Sequence, residues 1–176
     1  GRVLAMADES GFMLQPVART TWAPKGETPE LVCSARHDRV SVISAITVSP
    51  VAHRVAFAFE LTGSNFNAHS IERFVRGVQR TCRRPVTFVW DRLPAHRSVA
   101  KRLAGDRRFE FVFLPAYAPK LNPDEWVWRY AKHHLLAGAC PWNGAELEHQ
   151  VHDAMKHMVP CPELLRSFFR GAKLSL

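Results

Sequence analysis

The 176-residue chain is predicted to fold as an α/β domain: a mixed five-stranded sheet covered by helices, with extra helices at its C-terminal end. Three observations carry that expectation. Residues 2–61 hold three runs of apolar, β-branched and aromatic residues without helical period. From residue 70 onward, helical periodicity alternates with short apolar runs, the order of β-α units. The run Val86-Thr87-Phe88-Val89-Trp90 is continuously apolar, as suits a central strand covered on both faces.

The elements follow in order. Residues 2–7 read as a short strand ending at Asp8. Residues 11–38, with Pro16, Pro24, Gly26 and Pro29, read as a hairpin or an extended loop. Residues 40–48 and 54–61 form two strands joined by a turn at Ser49-Pro50. Over residues 70–83, Ile71, Phe74, Val75, Val78 and Cys82 recur at helical spacing, with Arg73, Arg76, Arg80 and Arg84 on other faces. Strand 86–90, a helix over 94–103 and a strand over 109–114 closed by Pro115 come next. Asn122 then caps a helix with Pro123 at its first position, running to about residue 136. Residues 145–158 and 162–170 are two more helices separated by Pro160. Antiparallel strands followed by β-α alternation imply the mixed sheet. Residues 1–137 are expected to form the main domain and 138–176 a helical extension of it.

Composition narrows the function. No run of eighteen apolar residues exists, so no membrane-spanning helix is expected, and no charged leader precedes an apolar stretch. The first residue is Gly rather than Met, which reads as a domain cut from a longer chain. Cys33, Cys82, Cys140 and Cys161 are scattered without a Cys-x-x-Cys pair, so a reducing cytosol is the simpler reading. A zinc site from His149, His152, His157 and Cys161 is the alternative, but beyond His149-x-x-His152 the spacings match no common finger, and helix-surface histidines explain them better. The net charge of +8 is concentrated: residues 73–108 hold eleven Arg or Lys against Asp91 and Asp106, which leaves the rest of the chain at −1. Ten of those eleven are arginine, the cation suited to phosphate, so the block suggests a polyanion partner rather than only a solvated helix face.

Three segments carry the chemistry: Ala7-Asp8-Glu9-Ser10-Gly11-Phe12, Val89-Trp90-Asp91-Arg92-Leu93-Pro94-Ala95-His96, and Leu114-Pro115-Ala116-Tyr117-Ala118-Pro119-Lys120-Leu121-Asn122-Pro123-Asp124-Glu125. Each sets a carboxylate at the end of an apolar run or the start of a helix. In this order they resemble the catalytic core of DDE transposases of the mariner-type superfamily, in the bacterial insertion-sequence branch, over about residues 5–135. The third segment is the most specific. The resemblance implies a ribonuclease H-like fold, which has the element order read above, and metal-dependent DNA strand cleavage and strand transfer. It also implies DNA as partner (element ends and target), self-association on DNA, and a cytoplasmic, nucleoid-associated protein. The end-binding module that family members usually carry ahead of this core is not in the sequence.

Phosphodiester cleavage needs an activated water and a stabilised leaving oxygen, and two divalent ions about 3.5–4 Å apart supply both. Mg²⁺, or Mn²⁺ in its place, takes oxygen ligands and retains waters, so a few carboxylates suffice. Asp8, Asp91 and Glu125 are the expected ligands, with 33 residues between the last two. Each also has a plain structural explanation. Asp8 suits a turn before Gly11, Asp91 suits a cap or a pair with Arg92, and Asn122-x-x-Glu125 is nearly a capping box. Asp124 is the rival to Glu125, and the resemblance favours Glu125. His96 is expected to orient a ligand or contact the strand being cut. Lys25, in the family-like Trp22-Ala23-Pro24-Lys25-Gly26, and Arg92, Arg97 and Lys132 are expected nucleic-acid contacts. Trp126 and Trp128 are expected to hold their helix to the sheet. Arg92 departs from the family, which has Asn there. A guanidinium beside a metal-binding carboxylate would compete with cations, so a catalytically inactive nucleic-acid-binding module is an alternative, and a stand-alone nuclease another.

Overall fold

A computed structural model describes residues 1–15, 22–26, 34, 36–116 and 118–176. Five strands, β1 (Val3–Met13), β2 (Arg39–Val48), β3 (Val55–Thr62), β4 (Val86–Trp90) and β5 (Phe109–Phe113), form one sheet in the order β3-β2-β1-β4-β5. β1 is antiparallel to β2 and parallel to β4; β2–β3 is antiparallel and β4–β5 parallel. This is the mixed sheet expected from the sequence, with ribonuclease H-like topology.

Both faces are covered. Helices α1 (Ala68–Cys82) and α2 (Pro94–Leu103) bury Ile71, Phe74, Val75, Val99 and Leu103 against Val3, Ala5, Ala7, Phe88 and Trp90 on one face. On the other, α3 (Asp124–Tyr130), α4 (Gly144–Met158) and α5 (Pro162–Gly171) pack Val127, Trp128, Val151, Met155, Leu165 and Phe169 against Met6, Phe12, Val40, Val42 and Ile46. Alternation along β1 therefore sends odd residues toward α1 and α2 and even residues toward α3. The C-terminal helices share the core of the sheet. No helix among the described residues is long and apolar enough to cross a membrane.

Two boundaries differ from expectation. β1 does not stop before Asp8; it pairs with β2 from Leu4↔Val48 through Met13↔Arg39. Gly11, read from sequence as part of a turn, lies inside the strand, where a Cβ would stand 2.6 Å from the Arg39 Nε. The glycine gives the Arg39 side chain room to cross the strand. The expected hairpin or loop over residues 11–38 falls in part on residues outside the described ones. The helix expected over residues 122–136 is instead a 3-10 turn (Pro119–Leu121), α3, and a π-helical turn (Ala131–Leu135). Asn122 still acts at the helix start, its Oδ1 accepting from the Asp124 N–H at 3.2 Å. Its own N–H donates to the Pro119 carbonyl, so no capping box engages Glu125.

Candidate active site

The strand register brings two of the acids together. The β1–β4 ladder runs from Val3↔Val86 to Met6↔Val89, and its continuation sets Asp8 alongside Asp91 just past the end of β4. Asp8, an even position, faces α3, and Trp128 Nε1 donates to its Oδ2 at 3.1 Å. Asn122 ties the start of α3 to the same strand, its Nδ2 donating to the Ala7 carbonyl at 3.3 Å. Asp8, Asp91 and Glu125 thus line one cleft of about 510 Å³, together with Arg92, Asn122 and the 114–116 segment. Tyr117 of that motif lies outside the described residues.

Burial and neighbouring carboxylates dominate the electrostatics at Asp8. Burial raises the Asp8 pKa to about 7, and the neighbouring Glu125 and Glu9 charges push the same way, against the Trp128 hydrogen bond. Lys132 lies near Asp8 and Glu125, but its Nζ is engaged by the Ser10 hydroxyl at 2.8 Å and stands 5.1 Å from the Phe12 ring centre. Burial lowers its pKa. Arg92 lines the cleft, yet its Nε donates to the Leu114 carbonyl at 3.3 Å, and it forms no ion pair with Asp91. An oxygen-only donor set facing an open cleft suits a hard divalent ion. Among the described residues no three His, Cys, Asp or Glu side chains are grouped closely enough to enclose an ion as they stand. The carboxylates border the cleft without forming a closed cage.

His96, expected to orient a ligand or contact the strand being cut, is 1% exposed and packs behind Asp91. Its Nδ1 lies 2.6 Å from Asp91 Oδ1 and its Nε2 3.1 Å from Glu9 Oε1, and its ring stacks on Trp90 with centroids 4.3 Å apart. Burial alone would lower its pKa, but the Glu9 and Asp91 carboxylates outweigh burial and raise it. The Leu93 N–H also donates to Asp91 Oδ1 at 3.0 Å, so one oxygen of Asp91 is held by two donors. Glu9 was missed from sequence. It neighbours Asp8 in the chain, and the strand alternation turns it to the opposite face, where α2 presents His96.

Asp124 is wholly buried, so the rival to Glu125 does not reach the cleft. Burial first, and then the Asp8 and Glu125 charges, raise its pKa well above the carboxylate range. The Ser44 hydroxyl approaches it without reaching hydrogen-bond geometry. In the sequence only the family resemblance separated these adjacent acids; in the structure helical phase separates them. Trp128 packs edge-on against Phe12 with centroids 6.3 Å apart, as a residue holding helix to sheet does.

The basic block is less free than its sequence suggests. Arg73 pairs with Glu60, Arg76 and Arg102 with Glu72, and Arg108 with Asp106. Glu60 and Glu72 lie just outside the window that looked so positive. Arg97, on α2, is exposed, and Lys25 is exposed in the 22–26 segment and does not line the cleft. His149 and His152 sit on an exposed face of α4 beside Asp153. Cys82 and Cys161 are free thiols, and Cys33 lies outside the described residues.

Comparison with known proteins agrees with this geometry. No curated protein matches the chain. Among solved structures, the Mos1 strand transfer complex superposes with a TM-score of 0.65 at 18% identity, over 97% of this chain and 50% of that one. The Mos1 mariner paired-end complex with Mn gives 0.65 at 19% identity, over 97% and 51%. A Mos1 paired-end complex with the left transposon end gives 0.62 at 18%, over 97% and 56%. At this identity the likeness is one of fold, and the chain spans about half the length of those transposase chains. The family described as DDE superfamily endonuclease matches residues 3–147, from the first strand into α4. The chain therefore belongs to the DDE superfamily endonucleases.

Proposed function

We propose that this chain is the catalytic domain of a mariner-type insertion-sequence transposase, which cleaves DNA strands at element ends and joins them to target DNA. The observation that carries the reading is the meeting of Asp8, Asp91 and Glu125 around one open cleft, from two strands and a helix far apart in sequence. These carboxylates would hold two divalent ions, Mg²⁺ or Mn²⁺. When bound, such ions supply an activated water and charge stabilisation of the leaving oxygen.

The chain's own residues prepare that site. Trp128 orients Asp8, and His96, clamped between Glu9 and Asp91 beneath Trp90, fixes one oxygen of Asp91 and leaves the other toward the cleft. Arg92, Arg97 and Lys132 are assigned to DNA phosphates at and beside the cleft, and Lys25 to phosphate farther out. The turn of Arg92 toward Leu114 supports this reading over an inactive module, since the guanidinium does not occupy Asp91. Residues 138–176 are treated as part of the same domain as 1–137, because α4 and α5 complete the core beneath β1 to β3. Self-association on DNA and a cytoplasmic, nucleoid-associated location complete the reading.

The test is Mn²⁺ titration by calorimetry followed by nicking of supercoiled plasmid, with Asp91→Asn alongside. Wild-type protein should bind and nick. The variant should lose both while keeping its circular dichroism spectrum, since Asn still accepts from His96. Undiminished nicking by the variant would refute the site.

A further inference from the structure

A second groove, of about 740 Å³, adjoins the acid cleft. It lies between the 3-10 turn, α3 and the end of α5, and shares Pro119 and Glu125 with the cleft, so the two are continuous at a candidate catalytic residue. Lys120, Arg129 and Lys173 line it, all exposed, against a single acid, Glu125. None of the three cations has a carboxylate partner among the described residues, unlike Arg73, Arg76, Arg102 and Arg108 of the sequence-basic block.

Two features show construction rather than a chance run of surface charge. Arg129 lies one helical turn beyond Glu125 and holds its guanidinium 5.2 Å from the centre of the Trp126 ring, a placement that fixes the charge without neutralising it. Trp126 is in turn wedged on α5: a Cβ at Gly171 would stand 2.7 Å from its Cε2. Lys173 ends α5 in a left-handed cap with φ 59°, the Leu174 N–H donating to the Phe169 carbonyl, which holds the lysine at the rim of the groove.

We propose that this groove binds the phosphates of the DNA strand flanking the cut site, with Lys120, Arg129 and Lys173 as contacts and α5 as its far wall. The proposal rests on the reading of the chain as a DNA-cleaving domain and extends it. It gives the residues beyond the family match at 147 a part in substrate binding. Positive charge on one side of Glu125 also explains how a polyanion can be drawn toward a cleft bordered by acids.

The test is fluorescence anisotropy with a labelled 20-nucleotide single strand, in EDTA, across a salt series. Arg129→Gln/Lys173→Asn removes two groove charges and keeps a residue tolerant of the left-handed backbone at 173. Arg80→Ala/Arg83→Gly removes two at the far end of α1. Lys120→Ala, which touches no ring, is the second groove variant. Each lost phosphate contact lowers the slope of log affinity against log salt by about 0.7 on a single strand. The groove pair should lower it by about 1.4, Lys120→Ala by about 0.7, and the α1 pair should leave it unchanged. Equal losses in the groove and α1 pairs would replace the groove with a diffuse field and overturn the proposal. Wild-type affinity in both groove variants, with wild-type nicking intact in Mn²⁺, would overturn the groove and leave the catalytic reading standing. A wild-type chain that binds no DNA overturns both.

Discussion

Replacing Asp8 with Asn should stabilise the metal-free protein above neutral pH while removing divalent-ion binding. In the folded chain the Asp8 pKa is raised from 3.8 to about 7, by burial first and by the nearby carboxylates second. The folded state therefore binds more protons than the unfolded state between these values, and stability falls as pH rises across that window. A displacement of about three pH units, at roughly 1.4 kcal/mol each, corresponds to a penalty on the order of 4 kcal/mol at pH 8. Asn carries no charge and still accepts the Trp128 hydrogen bond. Urea melts in EDTA should show the variant close to wild type below about pH 4 and progressively more stable up to about pH 7, by about 4 kcal/mol at most. His96, whose pKa is also raised, contributes stability present below its unfolded pKa and lost as pH rises through the folded value. It is common to both proteins, so their difference isolates Asp8. Mn²⁺ at pH 8 should raise the midpoint of wild type alone. Equal pH dependence in the two proteins would refute the electrostatic account of this site.

His96→Ala should weaken Mn²⁺ binding about 10–100-fold by freeing Asp91, as loss of a partner that orients a metal ligand does, and should destabilise the fold by about 2–4 kcal/mol through the emptied stack on Trp90; calorimetry and melts read the two effects. Arg92→Asn should leave Mn²⁺ affinity within a few-fold of wild type, because the guanidinium is turned to Leu114, and a large gain in affinity would show that it competes for Asp91. Gly171→Ala should cost about 1–3 kcal/mol, because its Cβ meets the rigid Trp126 ring at 2.7 Å. Gly11→Ala should cost less than about 1 kcal/mol although its contact is closer, 2.6 Å, because the Arg39 guanidinium it meets can move; equal melting shifts for the two would contradict that distinction.

Much of the fold is legible because it rests on local period. The helix over Pro94–Leu103 and the strand over Val86–Trp90 have the predicted bounds, set by Pro94, Asp91 and the change from a continuous apolar run to helical spacing. β1 was less legible. Gly11 carries a turn signal in sequence, and only pairing with β2 and the Arg39 side chain crossing above it keep the strand extended there. The single helix expected to residue 136 breaks into α3 and a π-helical turn, a change of hydrogen-bond register that apolar spacing does not encode.

The sequence by itself determined the order of strands and helices and the three segments that carry acids, since both are properties of neighbours along the chain. Only the tertiary structure decided where each acid stands. Strand alternation sends Asp8 to the cleft and Glu9 to His96, and helical phase buries Asp124 while leaving Glu125 exposed. Folding also turned Arg92 to Leu114, paired four of the eleven cations of the basic block with Glu60, Glu72 and Asp106, and placed Lys173 in one groove with Arg129. The physical reason is that charge and burial act through space: a residue's pKa, partner and exposure depend on what the fold places around it, and the local pattern specifies only which way the residue points.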